Sequence, residues 1–267
     1  MFVEHRTKGD ALSQHSPAPG RFHQRVTIVT GAGSGIGRAA ALALAAEGAH
    51  VLGVGRRPGP LEETARAHPG VVAFPADIRA PGAAEAVVGA AVDRWGRIDV
   101  LVNNAGGMDA MTLPEVTAER VARMFDLNVI APSLLARAAL PHLRETRGSI
   151  LNVSSTYGHR PGAGVSHYAA SKSALEQLTR SWALELAAEG IRVNALAPGP
   201  TESEALHAAG LPEEVIAAVK AEETARIPLG RRGEPEEVAA WLLHLADPAA
   251  TWLTGQVLAV DGGLNLT

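Results

Sequence analysis

Two side chains that could perform acid/base chemistry together lie four residues apart in the stretch SHYAASKSA. Tyr168 is one of only 2 tyrosines among 267 residues, and Lys172 follows it. Residues at this spacing lie on one face of an α-helix, so both side chains can reach the same ligand. Tyrosine has a pKa near 10, so only about 0.1% is tyrosinate at pH 7. A useful general base needs a pKa of about 7, which requires about 4 kcal/mol from the Lys172 ammonium together with a second positive charge on a bound cofactor.

A hydroxyl group that could bind the same substrate oxygen lies shortly before this pair. Ser155 ends the apolar run SILNVSS, thirteen residues before Tyr168. Its neighbour Ser154 competes for the role, although a structural hydroxyl at the end of a strand is its expected fate. A tyrosine and a lysine alone would more often be a packed ring beside a surface ammonium. The position of Ser155 favours the chemical interpretation.

Seven apolar runs, which alternate with longer Ala/Leu-rich amphipathic segments, must position these residues. The runs are VTIVTG, HVLGVG, VVAFPAD, IDVLVNNAG, SILNVSS, IRVNALAPG and QVLAVDGG. Continuous hydrophobicity without strict alternation is typical of parallel strands that are covered on both faces. The sequence therefore predicts an α/β fold of the Rossmann-like, doubly wound type, with a parallel seven-stranded sheet and helices on both faces.

The residues that follow the strands should gather around one crevice, because ligands of such sheets bind beyond the carboxyl ends of the strands. These segments are Gly31 to Gly37, Gly55 to Arg57, Asp77, Asn103 to Gly106, Ser154, Ser155 and Pro198 to Ser203. The serine that precedes Tyr168 is thus expected beside the first glycine-rich turn.

That turn, TGAGSGIG, leads directly from the first strand into a strong helix-forming segment. Gly31, Gly35 and Gly37 allow a tight turn, and the N-terminus of the helix offers N–H groups to a pyrophosphate. The spacing excludes a Walker A loop, which needs a lysine, and departs from GxGxxG because Ile36 occupies the position of the third glycine. This motif alone leaves open both a dinucleotide site and a tight turn without a ligand.

The end of the second strand bears on the choice of dinucleotide. A carboxylate there usually binds the adenosine ribose of NAD. In HVLGVGRR this place is Gly55, followed by Arg56 and Arg57. Guanidinium groups bind a 2′-phosphate well, so the sequence favours NADP(H), with NAD(H) as the alternative. The alternative is that Arg56 and Arg57 are solvated surface charges, as arginines in loops usually are.

The composition argues against several other classes of protein. A hydrophobic content of 46% in 267 residues suits one domain with a sizeable core, and a net charge of -4 argues against nucleic acid as a partner. No apolar run reaches the roughly 18 residues of a membrane span, and the N-terminus lacks the apolar stretch of a signal peptide, so we expect a cytoplasmic protein. Zero cysteines exclude thiol chemistry, and 10 scattered histidines predict no metal site.

Taken together, the motifs resemble the short-chain dehydrogenase/reductase family. The matching pieces, in the family's order and spacing over residues 22 to 265, are TGAGSGIG, NNAG, Asn128 in DLNV, Ser155, YAASK, APG and VDGG. The resemblance implies that Tyr168 is the catalytic acid/base and Lys172 its partner. It also implies that Ser155 positions the substrate oxygen and that Asn128 supports a proton-relay water. The implied function is reversible hydride transfer between NADP(H) and a small alcohol or ketone.

The resemblance also implies the contacts with the cofactor. Asp77 would contact the adenine, Asn104 would flank the cofactor, and the nicotinamide amide would bind near Thr201 and Ser203. The full expected set is Gly31, Ser34, Gly35, Ile36, Gly37, Arg56, Arg57, Asp77, Ile78, Asn104, Ala105, Gly106, Tyr168, Lys172, Pro198, Gly199, Thr201 and Ser203.

The domain organisation is expected to be simple. We predict a flexible arm over residues 1–20. Residues 21–267 are predicted to form a single dinucleotide-binding and catalytic domain, in which residues 200–225 form a substrate lid. By the resemblance we expect a homotetramer that acts on a small carbonyl or alcohol, with an apolar or partly cyclic compound favoured over a polar one. The alternative from another class is a non-catalytic NADP(H)-binding redox sensor. An enoyl reductase is a lesser alternative.

Overall fold

A computed structural model describes residues 20–203 and 212–267 of the chain. The predicted arm at residues 1–20 lies outside the described residues except for Gly20. Residues 204–211 of the predicted lid also lie outside them.

One parallel sheet of seven strands forms the centre of the described structure, in the order β3-β2-β1-β4-β5-β6-β7. Each predicted apolar run contains one strand, so the predicted fold class is confirmed. The strands are β1 (Val26–Thr30), β2 (His50–Gly55), β3 (Val71–Pro75), β4 (Val100–Asn103), β5 (Ser149–Val153), β6 (Arg192–Pro198) and β7 (Val257–Val260). The strand order reverses between β1 and β4, and such a switch point leaves a crevice at the carboxyl ends of the strands.

Helices connect the strands. In the described ranges they are α1 (Gly35–Ala46), α2 (Pro58–Ala67), α3 (Ala83–Trp95), α4 (Ala118–Phe125), α5 (Ala131–Thr146), α6 (Ser166–Leu186), α7 (Glu213–Arg226) and α8 (Pro235–Ala246). A π-helical turn at Asp126–Ile130 and short 3-10 helices, including Thr156–Gly158, complete the connections. Prolines begin α2 and α8, where a missing N–H costs nothing. None of the described helices is both long enough and apolar enough to cross a membrane.

The side chains of strands β1 to β6 divide between two hydrophobic cores, one on each face of the sheet. On β1, Val29 lies in the core that includes α1 and α8, whereas Ile28 lies in the core that includes α3 and α5. Val102 and Leu101 on β4 divide in the same way. Because both faces are buried, the strands read as continuous apolar runs rather than as an alternating pattern.

A ladder of buried amides fixes α6 over the middle of the sheet. Asn103 at the end of β4 donates to Asn152 Oδ1 on β5 over 2.9 Å, and Asn152 Nδ2 donates to the Thr179 hydroxyl on α6 over 2.9 Å. Asn103 and Asn152 are also paired in the strand register. Buried amides need partners of this kind, so the ladder sets where the first turns of α6 lie relative to the ends of β4 and β5.

Candidate active site

The glycine-rich turn between β1 and α1 is tight because two of its residues require glycine. Gly31 and Gly35 have φ angles of 71° and 50°, which other residues rarely adopt. At Gly37 the backbone is regular, but a Cβ would lie 2.2 Å from the Gly31 carbonyl oxygen and 2.4 Å from Asn104 Nδ2. The turn therefore folds back against the segment that follows β4. Ser34 and Ile36, two further predicted contact residues, lie within it.

Asn104 and Ala105 are held to the end of β1 by Thr30, a residue that the sequence reasoning missed. The Thr30 hydroxyl accepts from the backbone N–H groups of Asn104 and Ala105, each over 3.0 Å. Asn104 Nδ2 in turn donates to the Thr30 carbonyl oxygen over 2.8 Å. This places Ala105 beside the glycine turn, where a Cβ at Gly31 would lie 3.2 Å from Ala105 Cα. The signal available in the sequence was a threonine in the last position of the first strand.

The residues expected to bind the adenosine end lie at the ends of β2 and β3. Arg56 and Arg57 are exposed, and Ile78 is buried. Asp77 accepts two hydrogen bonds from the side chain of Arg79, from Nε over 3.0 Å and from NH2 over 2.6 Å. The Arg79 hydrogen bonds lower the pKa of Asp77 to about 2, with a smaller contribution from the charge of Arg56. Arg79 was not predicted, and it neutralises the only carboxylate that the prediction placed at this end.

Asn128 lies in the π-helical turn that precedes α5, where it is almost fully buried. Its Oδ1 accepts from the Gly107 N–H over 2.9 Å, and its Nδ2 donates to the Gly107 carbonyl oxygen over 2.9 Å. Nδ2 also donates to the Ser171 hydroxyl over 3.0 Å. A π-helical turn often occurs at functional sites, because it widens the helix around one side chain. The amide is therefore fixed between the segment after β4 and helix α6.

Lys172 is buried, with 4% of its surface exposed, and its ammonium points toward the end of β5. Nζ donates to the Val153 carbonyl oxygen over 2.9 Å and lies 5.8 Å from the centre of the Tyr168 ring. A Cβ at Gly106 would lie 3.1 Å from Nζ and 3.2 Å from Asn128 Oδ1, so the lysine and the asparagine approach the same backbone. Burial lowers the pKa of Lys172 to about 8, and the negative charge of Glu176 opposes this shift.

The surroundings of Tyr168 shift the pKa of its phenol in opposite directions. Burial raises the pKa of its phenol above the ordinary value, and its hydrogen bond with Ser155 acts in the opposite direction. The predicted lowering includes a second positive charge, that of an oxidised nicotinamide ring, whereas burial in the protein alone acts in the other direction. Burial has this effect because the phenolate loses its stabilisation by water.

The two candidate serines at the end of β5 have separate partners. The Ser154 hydroxyl donates to Glu176 Oε1 over 2.6 Å, so it is engaged in a structural contact. The Ser155 oxygen accepts from the Tyr157 N–H over 3.2 Å and hydrogen-bonds Tyr168. Ser155 is thus the hydroxyl that meets the tyrosine.

The segment after β6 approaches the glycine turn from the other side. Pro198 ends β6, the Thr201 hydroxyl donates to the Gly199 carbonyl oxygen over 3.0 Å, and a Cβ at Gly35 would lie 3.3 Å from Ser203 Cβ. The buried side chain of Arg232, which was not predicted, donates to the Thr201 carbonyl oxygen over 2.7 Å. Ser203 therefore lies beside the glycine turn, and Thr201 lies two residues before it in the same segment.

These arrangements define a class of protein: a doubly wound α/β fold with a glycine turn and a Ser/Tyr/Lys/Asn group at one edge of its sheet. A family model described as "Enoyl-(Acyl carrier protein) reductase" matches residues 31–265. The 3-oxoacyl-[acyl-carrier-protein] reductase of Thermotoga maritima is 39% identical over 251 residues, which cover 91% of this chain and 99% of that protein.

Solved structures agree with these matches. A short-chain dehydrogenase/reductase of unknown function from Caenorhabditis elegans, solved with cofactor, has a TM-score of 0.87 and 33% identity, and the match covers 92% of this chain and 97% of that one. A putative NAD(P)-dependent gluconate 5-dehydrogenase from Beutenbergia cavernae, with bound NADP at low occupancy, has a TM-score of 0.84 and 38% identity over 93% of this chain and 100% of that one. The chain belongs to the short-chain dehydrogenase/reductase family of NAD(P)-binding oxidoreductases.

The crowding at Gly37 leads to a prediction about stability. Gly37→Ala should lower the free energy of unfolding by about 2 kcal/mol or more, because its Cβ collides with backbone and with Asn104. Gly89→Ala on α3 is the matched control, since a Cβ there meets nothing within 4 Å. It should be neutral or stabilising by about 0.5 kcal/mol. Urea unfolding measures both, and equal stability of the two variants would contradict the steric account.

Proposed function

We propose that this protein transfers a hydride reversibly between NADP(H) and a small alcohol or ketone, with Tyr168 as the acid/base. The observation that carries the proposal is the convergence of four side chains at the carboxyl edge of β4 and β5. Lys172 is buried beside Val153, Ser155 hydrogen-bonds Tyr168, and Asn128 reaches the same backbone as Lys172. A phenol, a hydroxyl and an ammonium around one point suit the reduction of a carbonyl group.

The residues present fit a dinucleotide. The turn from Gly31 to Gly37 brings the N–H groups at the start of α1 to the crevice, and the first turn of α1 has no acidic residue to repel a pyrophosphate. Ala105, Gly106 and the segment from Pro198 to Ser203 would flank the nicotinamide half, and Asp77 with Ile78 would lie at the adenine. When bound, the nicotinamide ring supplies or accepts the hydride.

The protein groups would then move the proton. In reduction, Tyr168 donates its phenolic proton to the carbonyl oxygen as the carbon receives the hydride, and Ser155 donates a hydrogen bond to the same oxygen. The Lys172 ammonium stabilises the phenolate that remains, because the interaction of opposite charges is strong at a buried site. Asn128, together with Lys172, would support a water that returns a proton to this group, as the resemblance to the family implies. In the oxidative direction each step runs backwards.

Cofactor preference is the finer part of the proposal. The end of β2 has Gly55 where a carboxylate would bind the ribose of NAD and repel a phosphate. Arg79 pairs with Asp77, so the nearby negative charge is neutralised. Exposed Arg56 is thus available to a 2′-phosphate, and NADP(H) is favoured over NAD(H).

We also propose that the protein assembles as a homotetramer. The helices that family members commonly use for assembly carry exposed apolar side chains, including Leu134 on α5 and Leu184 on α6, which are 41% and 84% exposed. An interface with another copy along these helices would bury both side chains.

The proposed chemistry predicts the effect of removing one oxygen atom. Tyr168→Phe should lower kcat about 1000-fold and change the dissociation constant for NADPH by less than about threefold, since only proton transfer is lost. Nicotinamide absorbance, followed with a panel of ketones, 3-oxoacyl thioesters and enoyl thioesters, measures turnover. Tyr157→Phe, the same change at the other tyrosine, is the control and should keep most activity.

Three outcomes would contradict parts of this account. Full activity in Tyr168→Phe would remove Tyr168 from the mechanism. Reduction of the enoyl compounds alone would replace ketone reduction by enoyl reduction. NADPH binding by the unaltered protein without turnover of any compound would favour a redox sensor.

Cofactor choice gives a separate prediction. Arg56→Ala should weaken NADPH binding about tenfold and change NADH binding by less than about twofold, because a charged hydrogen bond to the 2′-phosphate is lost. Fluorescence titration with both dinucleotides measures the two constants. Arg66→Ala, an exposed arginine on α2, is the control for general charge. An equal loss for NADPH and NADH in Arg56→Ala would refute the phosphate role.

A further inference from the structure

Glu176 is a buried carboxylate that the chemistry described so far does not use. It lies on α6 one helical turn beyond Lys172, and only 3% of its surface is exposed. A charge in such a place is costly unless specific partners compensate for the loss of water. Two partners meet the same oxygen, Oε1: the Ser154 hydroxyl over 2.6 Å and His159 Nε2 over 3.1 Å. Arg180 lies 3.8 Å from the other oxygen.

The two partners of Oε1 bracket the segment that carries the substrate-positioning serine. Ser154 immediately precedes Ser155, and His159 follows the short 3-10 helix Thr156–Gly158. A Cβ at Gly158 would lie 2.1 Å from Glu176 Oε1, so the backbone of this segment passes directly over the carboxylate. Glu176 thus connects the serine segment to the helix that carries Tyr168.

The same carboxylate acts on Lys172 through its charge. Both residues are buried on one face of α6, where the low dielectric strengthens their attraction. The other groups around Lys172 are the Tyr168 ring, the neutral amide of Asn128 and the Val153 carbonyl oxygen. Along α6, Glu176 is therefore the negative charge nearest to the buried ammonium of Lys172. His159 and Arg180 contact Glu176 rather than Lys172.

We propose that Glu176 is a positioning residue for the reaction, whose carboxylate fixes the Ser155 segment against α6 and keeps Lys172 protonated. This proposal rests on the proposed function, because it assigns Glu176 a role in the same site. It predicts an electrostatic interaction between the charges of Glu176 and Lys172, which can be measured with or without turnover.

The test removes the charge of Glu176 and keeps its shape. Glu176→Gln can still accept the Ser154 hydrogen bond through its amide oxygen. Loss of the negative charge disfavours the ammonium, so the pKa of Lys172 should fall by about one unit. In Glu176→Gln, Lys172 is protonated below this lowered pKa. As the pH rises, the variant therefore loses its ammonium at a lower pH than the unaltered protein does. The basic limb of the kcat/KM profile should therefore move down by about one pH unit.

Lysine NMR measures the coupling without reference to activity. The chain has three lysines, Lys8, Lys172 and Lys220, so a protein labelled with ¹³Cε-lysine gives few signals, and Lys8→Arg and Lys220→Arg assign them. Glu176→Asp retains the charge at a greater distance, and its Lys172 titration should lie between those of the Gln variant and the unaltered protein. Should the Gln variant fail to fold, the Asp variant still tests the direction of the shift. Glu185→Gln, an exposed position on the same helix, is the control and should leave the titration unchanged.

The possible results separate the two proposals. An unshifted Lys172 titration in both Glu176 variants would overturn the role of Glu176, whatever happens to activity. A fall in activity without movement of the basic limb, and with no recovery in Glu176→Asp, would also overturn it in favour of a purely structural contact. A shifted titration in a protein that turns over no substrate would support the coupling and contradict the proposed function.

Discussion

The burial of one ammonium group is the constraint around which the site is arranged. Lys172 is 4% exposed, and its charge has lost nearly all of its water. The protein compensates with the Val153 carbonyl oxygen at the end of β5 and with the charge of Glu176 on the next turn of α6. The resulting pKa of about 8 leaves the lysine protonated at neutral pH but close to its limit. Small changes around Lys172 should therefore change its protonation and, with it, proton transfer by Tyr168.

The fold meets this constraint by bringing distant segments to one edge of the sheet. The parallel arrangement places the ends of β1, β4 and β5 side by side, and the buried amides of Asn103 and Asn152 fix α6 above them. The π-helical turn then presents Asn128 to the backbone at Gly106, which Lys172 also approaches. Each of these contacts joins residues far apart in the chain, so the site requires β4, β5 and α6 to be in place together.

The sequence predicted the strands, the glycine turn, Tyr168 and Lys172 from local patterns: continuous apolar runs, glycine spacing and a separation of four. Asn128 followed only from the resemblance to the family. The sequence favoured Ser155 over Ser154 by position, and the structure supplies the contacts that distinguish them, since Ser154 donates to Glu176 and Ser155 hydrogen-bonds Tyr168. The sequence missed several supporting residues whose partners lie far away in the chain or depend on side-chain geometry, namely Thr30, Arg79, Ser171, Glu176 and Arg232. It also did not include the effect of burial on Tyr168, which raises the pKa of the phenol in the protein by itself.

The most direct test is the pKa of Tyr168 itself, and the presence of only 2 tyrosines makes it accessible. In a Tyr157→Phe background, protein labelled with ¹³Cζ-tyrosine reports Tyr168 alone. The account predicts a pKa above about 10 for the protein by itself and a fall of about two units or more when NADP⁺ is added, because a second positive charge then joins Lys172 at the phenol. A pKa that stays above about 10 with NADP⁺ bound would contradict the account.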